Sequence, residues 1–198
     1  MEAVRVVSGT ALPLDRSDVD TDQIIPSDWL KRVERTGFGQ GLFAEWRDDR
    51  DFVLNKAEHA GATILIAGPN FGTGSSREHA VWALTDYGFR AVISPRFGDI
   101  FRNNCTKAGL VPVQVDAETG AALLRAVAKD PTLEVTVDLE RLTVSAPAAG
   151  IETTFPLDAF TQHRLLEGLD DIGLTLRHAG DIDAYEQRRR TWLPTVTV

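Results

Sequence analysis

The chain is 198 residues long, 43% hydrophobic and 25% charged, with a formal net charge of −8. That length suits one globular domain with its own core, and the composition is that of a folded soluble protein, which excludes a disordered chain. The acidic balance and the scattered basic residues exclude a nucleic-acid binder, which needs a broad basic face.

Met1-Glu2-Ala3-Val4-Arg5 lacks the apolar core of a signal peptide. No stretch approaches the roughly 20 apolar residues of a membrane span. A cytoplasmic location is therefore expected. Val4 to Leu14 reads as a strand, followed by a polar segment, Asp15 to Asp22, and then Ile24-Ile25-Pro26. From Ser27 to about Asp51 short helical patterns are interrupted by Gly37, Gly39 and Gly41, and this spacing predicts a mobile loop. Ala62 to Ala67 is a short apolar run between Gly61 and Gly68, as expected of a buried strand. A glycine-rich turn leads to a helix from about Ser76 to Tyr87, then to a strand at Ala91-Val92-Ile93.

Asp99 to Ala108 is predicted helical with Gly109 as its stop, and Leu110 to Val115 returns to strand. This alternation predicts βαβ units around a parallel sheet. Residues 116–129 read as a helix, Leu133–Val137 and Leu142–Val144 as strands, and Asp158 to Arg190 as mostly helical. Arg188-Arg189-Arg190 is read as a solvated helix end beside its own dipole. The fold class is one α/β domain, with a core of about 1–157 and a helical C-terminal extension of about 158–198.

Cys105 is the only cysteine, so no internal disulfide can form. One thiolate also cannot hold an iron–sulfur cluster, which takes about four. Cys105 is read as a small packed residue rather than a nucleophile.

Gly68 to His79 sits between a strand and a helix, where free backbone N–H groups make an anion cradle. Neither nucleotide motif fits. The dinucleotide fingerprint needs a glycine where Arg77 stands, and the P-loop needs Lys followed by Ser or Thr. Two readings remain. Ser75-Ser76-Arg77-Glu78 matches a capping box with Ser75 as N-cap. Alternatively, two hydroxyls, flanking glycines and the guanidinium fork of Arg77 form a site that holds carboxylate and handles a proton.

Asp18, Asp20 and Asp22 alternate, but a calcium loop would need Gly at Gln23 and Glu at Trp29. Solvated turn aspartates are one reading; the other is a carboxylate that orients a catalytic group or pairs with an active-site cation.

These stretches resemble one family. Asp20-Thr21-Asp22-Gln23-Ile24-Ile25-Pro26 is similar to a signature of aconitase-type small subunits, and Asn70 to Ala80 is similar to their Gly-x-Gly-Ser-Ser-Arg-Glu segment. Glu34 to Gly39 and Trp82 to Phe89 resemble the bacterial isopropylmalate branch. The matches run in order from about Asp15 to Pro112. One departure is Thr73, where related bacterial chains often carry Cys.

The resemblance implies a swivelling β/β/α domain, equivalent to the mobile last domain of aconitase. It also implies a large partner subunit holding a four-iron four-sulfur cluster, with no cofactor or metal on this chain. Ser75 would be the catalytic base supported by Asp22, and Ser76 and Arg77 would hold substrate carboxylate, with Thr21 and Gly74 beside it. The reaction implied is isomerisation of isopropylmalate through isopropylmaleate in leucine biosynthesis. Trp29, Leu30 and Phe43 around Gly37-Phe38-Gly39-Gln40-Gly41 are read as sensing the isopropyl group or as an ordinary surface loop. Two other readings stay open: a related hydro-lyase subunit acting on methylmalate or homoaconitate, and a non-catalytic anion-binding domain.

Overall fold

The computed structural model describes residues 1–31, 36–190 and 192. Glu34 and Arg35 of the Glu34 to Gly39 resemblance, and the end of the C-terminal extension, lie outside the described residues.

Seven strands are described: β1 Val6–Leu14, β2 Ile64–Ala67, β3 Ala91–Ser94, β4 Val111–Gln114, β5 Glu134–Asp138, β6 Thr143–Ala146 and β7 Ile151–Thr154. The α-helices are α1 Thr21–Ile24, α2 Glu78–Tyr87, α3 Asp99–Ala108, α4 Ala117–Lys129, α5 Ala159–Glu167, α6 Asp171–Leu176 and α7 Ala179–Arg188. The strands form one sheet in the order β4-β3-β2-β1-β5-β6-β7.

The predicted parallel sheet is half of what is found. β1 through β4 are parallel, whereas β5, β6 and β7 add to the other edge of β1 antiparallel. The long β1 is shared between the halves. Val6–Thr10 pairs with β5, and Ala11–Leu14 pairs with β2. Side-chain chemistry explains the division. All four residues of β2 and of β3 are buried, as parallel strands covered on both faces require, while β5 alternates buried Val135 and Val137 with more open neighbours.

Alternation along the parallel strands feeds two apolar cores. Leu12, Leu65 and Val92 face one core with Phe71, Leu84 and Phe101, which includes residues of α2 and α3. Ala11, Ile64, Ile66 and Ile93 face the other with Leu123 and Val127 of α4 and Val135, Val137 and Val144 of the antiparallel half. Gly109 ends α3 in the left-handed region at φ 83, as its position in the sequence predicts. Cys105 is 0% exposed in the first core, and burial pushes its thiol well above the ordinary range. It is a packed residue. The predicted helical tail is three short helices; α5 buries Leu165, whereas α6 and α7 bury no residue.

The glycine-bearing part of the loop predicted to be mobile is packed. Residues Phe38–Gly41 form a 3-10 turn in which Phe38, Gly39 and Gly41 are buried. Phe38 lies edge-on to Trp82 of α2 at 5.8 Å between ring centres. Gly39 N–H donates to Asp86 Oδ2 at 2.9 Å, and a Cβ on Gly39 would fall 2.8 Å from the Tyr87 backbone nitrogen. The glycine here serves close approach to α2, not mobility. Gly39→Ala is therefore expected to destabilise the chain by about 1–3 kcal/mol, read by denaturant unfolding. A Gln40→Ala control on the exposed neighbour should change little, and an equally stable Gly39→Ala protein would contradict the tight packing.

Candidate active site

Three loops leave the C-terminal ends of neighbouring parallel strands and meet. β1 ends at Leu14 and leads to the aspartate segment, β2 ends at Ala67 and leads to the glycine turn, and β3 ends at Ser94 and leads to Pro95–Gly98. Open α/β sheets place ligands at this end of their strands, because the loops there can converge without disturbing the sheet.

Backbone pairing holds the three loops together. The Thr21 N–H donates to Thr73 O at 3.0 Å, and the Gly72 N–H donates to Val19 O at 2.8 Å. Phe71 N–H donates to Arg96 O, and Gly98 N–H returns to Phe71 O, both at 2.9 Å. Fully buried Ser94 donates through Oγ to Gly68 O at 2.8 Å. Gly72 sits at φ +74, and a Cβ there would fall 2.2 Å from the Phe101 ring, so only glycine fits.

The three aspartates have three different partners. Asp18 accepts from Asn70 Nδ2 at 2.7 Å. Asp20 caps α1 in a capping box with Gln23, so the turn read from the sequence is a short helix. Asp22 accepts from Arg77 Nη1 in an ion pair. Of the two functional options for these carboxylates, the structure shows pairing with a cation. The Asp22 carboxylate thus contacts the guanidinium, and among the described residues it shares no hydrogen bond with Ser75.

The capping reading of Ser75 also fails. α2 starts at Glu78, its N-cap is Arg77, and no side chain caps it. Ser75 and Ser76 precede the helix and are exposed, as is Gly74, at φ +85. The Ser75 hydroxyl forms no hydrogen bond with any described residue, while its carbonyl accepts from Thr21 Oγ1 at 2.9 Å. Thr21 is 1% exposed and supports the turn from beneath. Arg77 is 19% exposed, and its Nε and Nη2 form no hydrogen bond with any described residue. The exposed hydroxyls, the uncapped N-terminus of a ten-residue helix and the half-committed guanidinium together suit an anionic carboxylate.

Ser75 lines a cavity of about 220 Å³ with Gly74, Gly98, Asp99 and Ile100. The third loop and the start of α3 were missed by sequence reasoning. Their signal is a strand, then Pro95 and Gly98, then a helix: the same punctuation as the glycine turn. Of the residues read as sensing an isopropyl group, Phe38, Gly39 and Phe43 are buried, and Gly37, Trp29 and Leu30 are half-buried. Trp29 covers Gly41, where a Cβ would fall 2.4 Å from its ring.

A cluster does not fit the donors of this chain. Cys105 is its only thiol and is fully buried, and among the described residues no group of three His, Cys, Asp or Glu side chains is placed to hold a metal. No helix among the described residues is long and apolar enough to cross a membrane.

Residues 1–118 match the family model described as the aconitase C-terminal domain, which sets the class of the chain. Residues 171–197 match the model described as the C-terminal domain of the 3-isopropylmalate dehydratase small subunit. A 3-isopropylmalate dehydratase small subunit from Rubrobacter xylanophilus is 64% identical over 196 residues, covering 99% of this chain and 100% of that one. Another, from a Parafrankia species, is 65% identical over 195 residues, covering 98% and 99%. A crystal structure of 3-isopropylmalate dehydratase from Methanocaldococcus jannaschii superposes with a TM-score of 0.65 at 26% identity, covering 91% of this chain and 99% of that one. The chain belongs to the family of 3-isopropylmalate dehydratase small subunits.

Proposed function

We propose that this chain supplies the substrate-carboxylate grip and the proton-handling serine of a two-chain hydro-lyase of leucine biosynthesis, active in the cytoplasm. The enzyme interconverts 2-isopropylmalate and 3-isopropylmalate by removing water to give isopropylmaleate and adding it back. The observation that carries the reading is Ser75, exposed and uncommitted beside an uncapped helix N-terminus, two residues before an arginine that Asp22 holds in place.

The proton removed lies next to a carboxylate and is weakly acidic, so the base must be strong and the developing charge must be stabilised. A free serine hydroxyl is a weak base. At Ser75 the adjacent N–H groups and dipole of α2 favour the alkoxide, and Arg77 adds positive charge. Arg77 grips a substrate carboxylate through its uncommitted nitrogens, with Ser76 beside it. Thr21 fixes the carbonyl of Ser75 and so aims its hydroxyl. Half-buried Trp29 and Leu30 are proposed to meet the apolar substituent, replacing the buried Phe38 and Gly39 in that role.

Departure of the hydroxyl needs a Lewis acid. A four-iron four-sulfur cluster on a large subunit would supply it, since the donors of this chain do not fit one. The purified chain alone is therefore expected to fold, to be colourless and to turn over no isopropylmalate. Adding a cluster-loaded large subunit should produce turnover, measured with isopropylmalate, methylmalate and homoaconitate side by side. Turnover by this chain alone, or a pair preferring another of the three acids, would overturn the reading.

A further inference from the structure

The Ser75 cavity and a larger groove share one lining residue. Asp99, at the first turn of α3, lines that cavity and also a groove of about 730 Å³. Arg102, Asn103 and Thr106 of α3 continue one wall of the groove, and Leu142, Leu157 and Thr161 form the other. The walls are tied together, because Arg102 Nη2 donates to Pro156 O at 3.3 Å. The groove is thus part of the folded chain, not a gap between loose segments. Two apolar residues stand exposed on these elements: Ile100 at 53%, lining the Ser75 cavity, and Phe160 at 59%, next in sequence to the groove-lining Thr161.

We infer that this track, from Ile100 along α3 to Phe160, is where the large subunit docks. The inference rests on the two-chain reading above and adds the surface. Its lining mixes charged, amide and aliphatic side chains, which suits a protein partner better than a small apolar ligand. The occupant follows from continuity. Charge stabilisation at Ser75 gains strength only when water is excluded, and Ser75 is exposed in this chain. A partner that closes over Ser75 therefore meets Ile100, and the neighbouring Asp99 lines the groove as well as the cavity. A partner that completes the active site thereby lies beside the groove at Asp99. Ile100 and Phe160 are its apolar anchors, and the charged and amide side chains of the groove set register.

The test uses two exposed positions outside the Ser75 cavity, Asn103→Arg in the groove and Phe160→Asp beside the groove-lining Thr161. Dissociation constants for the cluster-loaded large subunit are measured by calorimetry without substrate, so the result stands apart from the choice of substrate. Each substitution should weaken binding by about tenfold or more. The unfolding midpoint of the small chain should stay unchanged, and turnover should return to within about twofold when the partner is saturating. Arg125→Glu, exposed on α4, should leave affinity unchanged. Unchanged affinity in both groove variants overturns the inference. So does sedimentation showing that the substitutions break a self-associated small chain while partner affinity holds. A pair that binds as described but prefers another acid would overturn the substrate reading and leave the docking surface standing.

Discussion

Ser75→Ala is expected to lower kcat of the reconstituted pair by about 10² or more, the usual scale for losing general-base help, while leaving the unfolding of the small chain nearly unchanged. The second half of that expectation comes from the structure. A Ser75 that capped α2 would cost on the order of 1 kcal/mol when truncated. Here α2 starts three residues later, Arg77 occupies the N-cap, and the Ser75 side chain is exposed. Exposed substitutions away from such features fall within about 0.5 kcal/mol. Ser75→Gly should therefore behave like Ser75→Ala in turnover and come close to it in stability, with no cap to restore. Ser76→Ala should act mainly on KM, since its proposed part is to hold carboxylate. A Ser75→Ala pair that is folded, assembled and nearly fully active would remove Ser75 from the chemistry. A large stability loss would instead give back the helix-capping role.

What the sequence made legible follows the range over which each signal acts. The runs Ile64-Leu65-Ile66 and Ala91-Val92-Ile93 are apolar because both faces of their strands are covered, and this is readable in a window of a few residues. The stop of α3 at Gly109 is equally local. Strand β7 was missed because Ile151-Glu152-Thr153-Thr154 buries no residue and carries too little apolar pattern. The start of α2 was misplaced because Ser75 to Glu78 satisfies a local capping pattern; the chain instead spends those residues on pairing with a loop 54 positions earlier, through Thr21 and Ser75.

The same limit explains the glycine segment and the aspartates. Gly39 looks like a source of freedom until Tyr87, far along the chain, is seen to lie against it. Which of Asp18, Asp20 and Asp22 meets Arg77 depends on a contact 55 positions apart. Residue types named the candidate site, but only the meeting of three loops at the strand ends assigned each residue its neighbour.

The Asp22–Arg77 pair gives the second large effect. Arg77→Lys keeps a positive charge but loses the planar fork, so KM is expected to rise by about tenfold or more with a smaller change in kcat. Arg77→Ala should cost further, by removing the charge as well. The pair itself contributes little to folding, since Asp22 is 51% exposed and such pairs are worth about 0–1 kcal/mol. Asp22→Asn should therefore unfold almost as the parent does, yet raise KM, because the guanidinium loses the carboxylate that fixes its direction. If Asp22 acts only through Arg77, adding Asp22→Asn to Arg77→Lys should raise KM by less than the product of the single effects, since the two side chains are in contact. A carboxylate that served Ser75 directly would give a different pattern: kcat would fall with KM nearly unchanged, and the loss would multiply with that of Arg77→Lys. The measurement is kcat and KM for the two single variants and the double variant, each assembled with the same cluster-loaded partner. Multiplying effects, concentrated in kcat, would return Asp22 to the base and leave its contact with Arg77 incidental.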